Sequence, residues 1–306
     1  MKKIKYFFEI LAIAPLYALF ALLPLAISRP ICAFVARTLG PCLPVSRVAL
    51  ENLRAAFPEN SALQNHHILR DCWDNLGRVV AEFPHVPKLL KDPKNFRVEN
   101  ADILESVLAQ KKACIFFTAH MANWEISYVD FLRRHLNINL IASRHNNPLI
   151  EWLLMRGRSK QSITMISRTV EGSKQLLRAI QNQEFIGALL DQYASDGVFL
   201  PFFQRPAKTT LALARMAARY NLPFLPVQVR RIGKKSRFIL TYTPSIEIDP
   251  ALSLQENAEA LMLETNRRME DWIRQEPGQW LWLHRKWKVK PRDRAAFAQS
   301  QTKLPF

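Results

Sequence analysis

Seven histidines and 26 acidic residues are spread over 306 positions, and two of the histidines are followed five residues later by a carboxylate, His66 by Asp71 and His120 by Glu125. Imidazole can take a proton from an alcohol near neutral pH. A carboxylate beside it can fix the tautomer and stabilise the imidazolium, so such a pair can form a general base. Chance alone supplies about half a match to this spacing, so context has to decide between them. His66 and Asp71 lie in a stretch of helical periodicity, where five residues turn through about 500° and leave the side chains about 140° apart. That pair reads as surface decoration. His120 instead follows ACIFFTA, an apolar run that reads as a buried strand, and Asn123-Trp124-Glu125 reads as a capped helix start. A loop and a first helical turn can fold both side chains toward one point, and open α/β sheets bind ligands beyond the carboxyl ends of their strands. The plainer alternative is an ordinary loop histidine, with Glu125 placed by the helix dipole.

Other chemistries are excluded by counting. The eight glycines stand at 40, 77, 157, 172, 187, 197, 233 and 278, too scattered for a dinucleotide fingerprint or a phosphate loop, and Gly172-Ser173 lacks the second glycine of a nucleophile elbow. Cys32, Cys42, Cys72 and Cys114 form no C-x-x-C, and no His-x-x-x-His occurs, so the familiar zinc spacings are missing. Four scattered cysteines in a chain this long suit a reducing compartment rather than a disulfide framework. Lysine and arginine exceed the acids by 17, yet 49% of residues are hydrophobic, so the charge decorates a folded body.

The elements that must position His120 follow from periodicity. Residues 30–92 read as a helical lead: ICAFVARTL, SRVALENLRAAF, and SALQNHHILRDCWDNLGRVVAEF. Beyond Pro93 come the short apolar runs FRVEN, ACIFFTA, INLIAS, ITMIS, FIGALLDQ, FLPVQVRR and RFILTYTP, dense enough for strands buried on both faces. Helix-like stretches separate them, and a long helix, LQENAEALMLETNRRMEDWIRQ, precedes the aromatic and basic segment WLWLHRKWK. The expected fold is α/β, a mixed and mostly parallel sheet flanked by helices. Residues 10–28 carry no charge and follow Lys2, Lys3 and Lys5, about the length a bilayer core requires, which marks 1–28 as a membrane anchor helix ahead of a single domain over 29–306. Pro15, Pro24 and Glu9 weaken a straight span, so spanning the bilayer and dipping into one leaflet both stay open. A cleaved signal peptide fits less well, because Arg29-Pro30 makes a poor cleavage site.

TAHMANWE at 118–125 resembles the H-x4-D/E block of the late acyltransferases of lipid A biosynthesis, the lauroyl and myristoyl transferases, which usually have glycine where this chain has Ala122. Further blocks resemble the family in the same order: SRVALENLRAAFPE at 46–59, WDNLGRVVAEF at 73–83, SRHNNPLIEWLLMRGR at 143–158, DQ at 191–192, GVFLPFFQRPAKTTLALARMA at 197–217, and WLWLHRKWKVKP over 280–291. Two departures stand out. Gln204 occupies a place commonly held by glycine, and the usual DQDYG-like block is loosened to DQYASDG.

The resemblance implies transfer of a fatty acyl group from acyl carrier protein to a hydroxyl of a hydroxyacyl chain on a lipid A precursor, at the cytoplasmic face of the inner membrane. It implies His120 as base with Glu125 orienting it, direct attack on the thioester without an acyl-enzyme, and no metal or bound cofactor. Arg144, Arg156 and Arg158 then face acceptor phosphates or the developing oxyanion, with Arg158 favoured by family position, and Asn123 and Asp191 help to place substrate. Trp280, Trp282 and Trp287 with Arg285, Lys286 and Lys288 are candidates for a lipid headgroup boundary, where indole is half buried and cations meet phosphate; the plainer reading is an aromatic core edge with exposed charges. Phe199, Phe202 and Phe203 form either a wall for an acyl chain or packing under the sheet. The rival readings are an acyltransferase of glycerol-phosphate lipids and a non-enzymatic basic binder of membranes or nucleic acid. No nucleic-acid-binding signature accompanies the charge, so nucleic acid is not an expected partner.

Overall fold

A serine begins each of the two long helices that flank the sheet, and each is capped as its sequence dictates. Ser61 and Gln64 form a reciprocal capping box at the start of one, Ser253 and Glu256 at the start of the other. The computed structural model describes residues 17–142 and 163–301, together with 6, 14, 15 and 147. The helical lead is α1 (Leu25–Leu39), α2 (Val45–Ala56), α3 (Ala62–Glu82) and the short α4 (Val86–Lys91). Gly77 lets α3 approach α1 closely, since a β-carbon there would lie 2.4 Å from the carbonyl oxygen of Cys32.

The α/β part runs β1 (Phe96–Glu99), α5 (Ala101–Ala109), β2 (Cys114–Thr118), α6 (Val129–Arg133), β3 (Ile138–Ala142), β4 (Ile163–Ser167), α7 (Val170–Gln181) and β5 (Phe185–Leu189). It continues with β6 (Val198–Phe202), β7 (Arg205–Thr209), α8 (Ala212–Tyr220), β8 (Phe224–Arg231), β9 (Phe238–Tyr242), α9 (Leu254–Gln275) and α10 (Arg294–Gln301). Seven strands form one sheet in the order β1-β9-β8-β2-β5-β3-β4, parallel throughout except for the β8–β9 pair. All seven apolar runs expected as strands are the strands of this sheet.

Alternation along β2 divides the core. Ile115 and Phe117 pack with the aromatic cluster beneath α2, α3 and α9, while Cys114 and Phe116 pack on the other face with Phe131 and Tyr242. The hairpin of β6 and β7 was not expected from the sequence. Its two turn residues, Phe203 and Gln204, both have positive φ (50° and 55°), the geometry that a two-residue connection needs and that glycine or asparagine ordinarily supplies. Burial holds the turn closed: Phe203 is 3% exposed, packs edge-on against Phe57, and carries the Arg274 guanidinium 4.7 Å above its ring.

The single anchor helix expected over 10–28 is interrupted. Residues 17–22 are helical, the helix breaks at Leu23 and Pro24, and α1 starts afresh with Pro24 as its N-cap. Among the described residues no single helix is long and apolar enough to cross a membrane; α1 with its following turn and α2 are apolar enough together but meet at 84°.

Candidate active site

The register of two neighbouring parallel strands brings the site together. Thr118 of β2 lies opposite Leu189 of β5, so His120 and Asp191, each two residues further on, emerge side by side beyond the carboxyl edge. The backbone N–H of Leu190 donates to the Thr118 carbonyl at 3.2 Å and carries the pairing one step past the strands. Asp191 then grips His120 twice. Its Oδ1 accepts from His120 Nδ1 at 2.7 Å, and its Oδ2 accepts from the His120 backbone N–H at 2.9 Å. The Trp280 indole N–H donates to the same Oδ2 at 2.7 Å.

This geometry fixes the tautomer. An ionised carboxylate only accepts, so Nδ1 carries the proton and Nε2 is left with its lone pair. Burial by itself would raise the Asp191 carboxyl, but the charge of and hydrogen bonds from His120 override it and hold the acid well below the ordinary carboxylate range. Nε2 is capped at 3.2 Å by the side-chain amide of Gln192, which is exposed and can give way to an incoming hydroxyl.

The contact with His120 expected of Glu125 is made by Asp191 instead. The expectation assumed that the acid nearest in sequence would be nearest in space, whereas strand register places the partner 71 residues away. Glu125 starts a short 3-10 turn, Trp124–Ile126, and lines a cavity of about 60 Å³ with Thr118, Trp124 and Tyr128. Asp191 in turn does not reach substrate as expected, being fully buried behind His120. Asn123 is also buried: its Oδ1 caps the 3-10 turn by accepting from the Glu125 N–H at 3.1 Å, and its amide donates to Glu82 at 2.9 Å. It is a structural link rather than a substrate contact. Arg144, Arg156 and Arg158 lie outside the described residues.

The aromatic and basic C-terminal segment is interior where lipid contact was expected. Trp280 and Trp282 are fully buried, ring centroids 4.5 Å apart, and each indole N–H is satisfied inside, by Asp191 and by the Pro277 carbonyl. Trp287 is half-buried and donates to the Phe202 carbonyl at 3.1 Å, while Arg285 is exposed. Phe202 and Phe203 join this cluster under the sheet. The segment also serves the site directly. The Leu281 N–H donates to the His120 carbonyl at 3.0 Å, and the Gln279 carbonyl accepts from the Ala122 N–H at 2.9 Å. His284 packs edge-on against Trp280 at 4.9 Å; burial pushes its imidazole down to about 4 despite the pull of Asp191. Lys286 is fully buried, 3.5 Å from the Gln192 carbonyl, and burial pushes its ammonium down to about 8 against the pull of Asp191 and Glu270. Lys286, expected among the cations of a headgroup boundary, is thus interior, and the sequence offered no sign of His284, since nothing in WLWLHRKWK says which side chains turn inward.

His66 and Asp71 behave as surface residues of α3, with His66 Nδ1 bonded to the Ala62 carbonyl of its own helix at 2.8 Å. Among the described residues no group of three or more His, Cys, Asp or Glu could hold a metal ion.

A mostly parallel α/β sheet that holds a histidine on a buried aspartate beyond its carboxyl edge is an arrangement able to take a proton from an alcohol or a water, the chemistry of base-assisted transferases and hydrolases. Comparison with known proteins makes this specific. The family model of bacterial lipid A biosynthesis acyltransferases matches residues 1–289, and the chain belongs to that family. It is 27% identical over 260 residues to the lipid A biosynthesis lauroyltransferase of Escherichia coli K12, covering 80% of each chain. The palmitoleoyltransferase of the same organism is 28% identical over 257 residues, with 80% of this chain and 79% of the relative covered. A lipid A biosynthesis acyltransferase of Haemophilus influenzae is 24% identical over 253 residues, with 80% and 78% covered.

Proposed function

We propose that this acyltransferase moves a fatty acyl group from acyl carrier protein to a hydroxyl on an acyl chain of a lipid A precursor, with His120 as the general base. The observation that carries the reading is the double grip of the buried Asp191 on His120, which leaves the Nε2 lone pair facing the exposed Gln192 amide. The acceptor hydroxyl displaces that amide and gives its proton to Nε2 as its oxygen attacks the thioester carbonyl. Collapse of the tetrahedral intermediate breaks the C–S bond, and the imidazolium returns the proton to the departing thiolate. Asp191 stabilises the imidazolium in between without itself taking the proton. Neither metal nor cofactor enters these steps.

Arg144, Arg156 and Arg158 follow β3, whose carboxyl end opens on the same edge as those of β2 and β5, in keeping with a role toward phosphate or oxyanion. The acceptor reading agrees with the names of the relatives. Residence on the cytoplasmic side of the inner membrane belongs to this reading, and the outer face of α1 supports contact with a lipid surface. Ile27, Ile31 and Phe34 are between 48% and 63% exposed there, a stripe of helical spacing suited to lying in one leaflet. Residues 1–28 lead into that stripe, ahead of a single domain.

The test is mass spectrometry of lipid A from cells with and without the protein, complemented by His120→Ala or His66→Ala. Loss of one acyl group, restored by His66→Ala and not by His120→Ala, is expected. Unchanged lipid A with altered phospholipids would overturn the acceptor, and restoration by His120→Ala would overturn the base.

A further inference from the structure

The loop that carries His120 is held in a conformation its own sequence does not favour. Ala122 has φ of 50°, the left-handed region in which the β-carbon of an L-residue crowds the neighbouring carbonyl, and at 0% exposure it cannot escape outward. What holds it is the last part of α3. Asn75 and Glu82 are seven residues apart, two helical turns, and so lie on one face. The Asn75 amide donates to the Ala122 carbonyl at 3.0 Å and to the Gln279 carbonyl at 3.3 Å, and Gln279 also receives the Ala122 N–H. Glu82 accepts from the Asn123 amide at 2.9 Å, one residue further along the loop.

Both side chains are themselves aimed by Arg231 of β8, 3% exposed, which donates to Asn75 Oδ1 at 3.1 Å and to Glu82 through both terminal nitrogens, Nη2 at 2.8 Å. Arginine has no acceptor, so the Asn75 amide can only point its N–H groups toward the loop. Ser236 and, through it, Arg29 of α1 complete the buried network around the Glu82 carboxylate.

We infer that Asn75 and Glu82 are positioning residues for the transfer reaction: they clamp residues 122 and 123 so that His120 stays on Asp191. The helical lead is then part of the catalytic apparatus as well as a membrane-facing layer. This deepens the general-base reading and rests on it. Without the clamp the peptide at Ala122 relaxes toward ordinary backbone, and His120, two residues earlier, loses its aim.

The test is a double-mutant cycle of Asn75→Ala with Ala122→Gly, measuring kcat and KM with acyl carrier protein donor and lipid A-type acceptor, alongside thermal unfolding. Asn75→Ala lowers kcat by about tenfold, with KM changed by less than about twofold, as for small misplacement of a catalytic group. In the Ala122→Gly background the same substitution lowers kcat by about threefold or less, because glycine adopts positive φ without steric cost. A substitution that merely weakened the fold would produce the same loss in both backgrounds. Glu82→Gln shifts kcat in the same direction while leaving Arg231 a neutral partner; if that variant does not fold, the Asn75 cycle alone decides. Unchanged kcat in Asn75→Ala, or an equal loss in both backgrounds, overturns the inference. Failure of the base assignment shows separately, as retained turnover in His120→Ala, because the cycle reads the clamp whichever group in the loop is the base.

Discussion

Two segments of this chain are rich in large apolar side chains and flanked by cations, and they end on opposite sides of the protein surface. The outer face of α1 leaves Ile27, Ile31 and Phe34 exposed, whereas the 280–287 segment buries Trp280 and Trp282 completely. The difference lies in the polar tips. Each indole of the C-terminal segment finds an internal acceptor, Asp191, the Pro277 carbonyl or the Phe202 carbonyl, so burial leaves no indole N–H unsatisfied. The exposed side chains of α1 have no polar tip to satisfy, and the helix spends its other face on α3. Composition marks both segments as interfacial; the presence of matching acceptors separates the buried one from the exposed apolar face.

The comparison can be broken from the inside first. Trp282→Ala should cost about 3–5 kcal/mol by leaving a cavity in the aromatic cluster, read as a lowered unfolding midpoint in denaturant. A change below about 1 kcal/mol would mean that the segment is peripheral after all. Trp280→Phe keeps the ring volume but removes one donor to a buried carboxylate, and should cost about 1–3 kcal/mol together with a fall in turnover. Full activity and stability would show that Asp191 does not need the indole.

Acidification probes the same cluster. His284 is neutral in the fold, pushed down to about 4, whereas in the unfolded chain it titrates near 6.5. The unfolded state therefore binds the extra proton in that window. Its stabilising contribution is complete above about 6.5 and is lost as pH falls through about 4. Asp191 adds a further loss below the ordinary carboxylate range. Lys286, pushed down to about 8, acts in the same sense at high pH: the unfolded lysine keeps its proton longer, so stability rises with pH between about 8 and the ordinary value of 10.5. Urea midpoints across pH should show both slopes, and His284→Phe should flatten the acid one; an unchanged acid slope would place the titration elsewhere.

On the outer face, replacing Ile31 and Phe34 together by serine should weaken partition to anionic vesicles by about tenfold or more per side chain while leaving the unfolding midpoint nearly unchanged. Equal vesicle binding at high salt would remove α1 from the membrane contact. The smallest effect expected is a gain. Gln204→Gly relieves one left-handed residue in the β6–β7 turn and should stabilise by about 1 kcal/mol, read in the same urea titration.

Much of the fold was legible because its signals are local. Seven short apolar runs became the seven strands, and α9 runs from Leu254 to Gln275 as its periodicity and serine cap require. His120 was legible for the same reason, since an apolar run that ends in a polar residue marks the carboxyl edge of a strand. The hairpin of β6 and β7 was not, because its turn is made by Phe203 and Gln204 rather than by residues that favour positive φ.

What the amino-acid sequence determined by itself was therefore the seven strands of the main sheet, the long helices and the place of His120 at a strand end. Each follows from hydrogen bonds and side-chain periodicity within a few residues along the chain. Tertiary structure alone decided the partner of that histidine. Register between β2 and β5 sets Asp191 beside His120 and leaves Glu125 in a neighbouring cavity. It decided too that the tryptophans turn inward, and that α3 reaches across to hold a strained loop. Those outcomes depend on which donors and acceptors meet across more than 40 residues of intervening chain, and spacing along a sequence carries no record of such meetings.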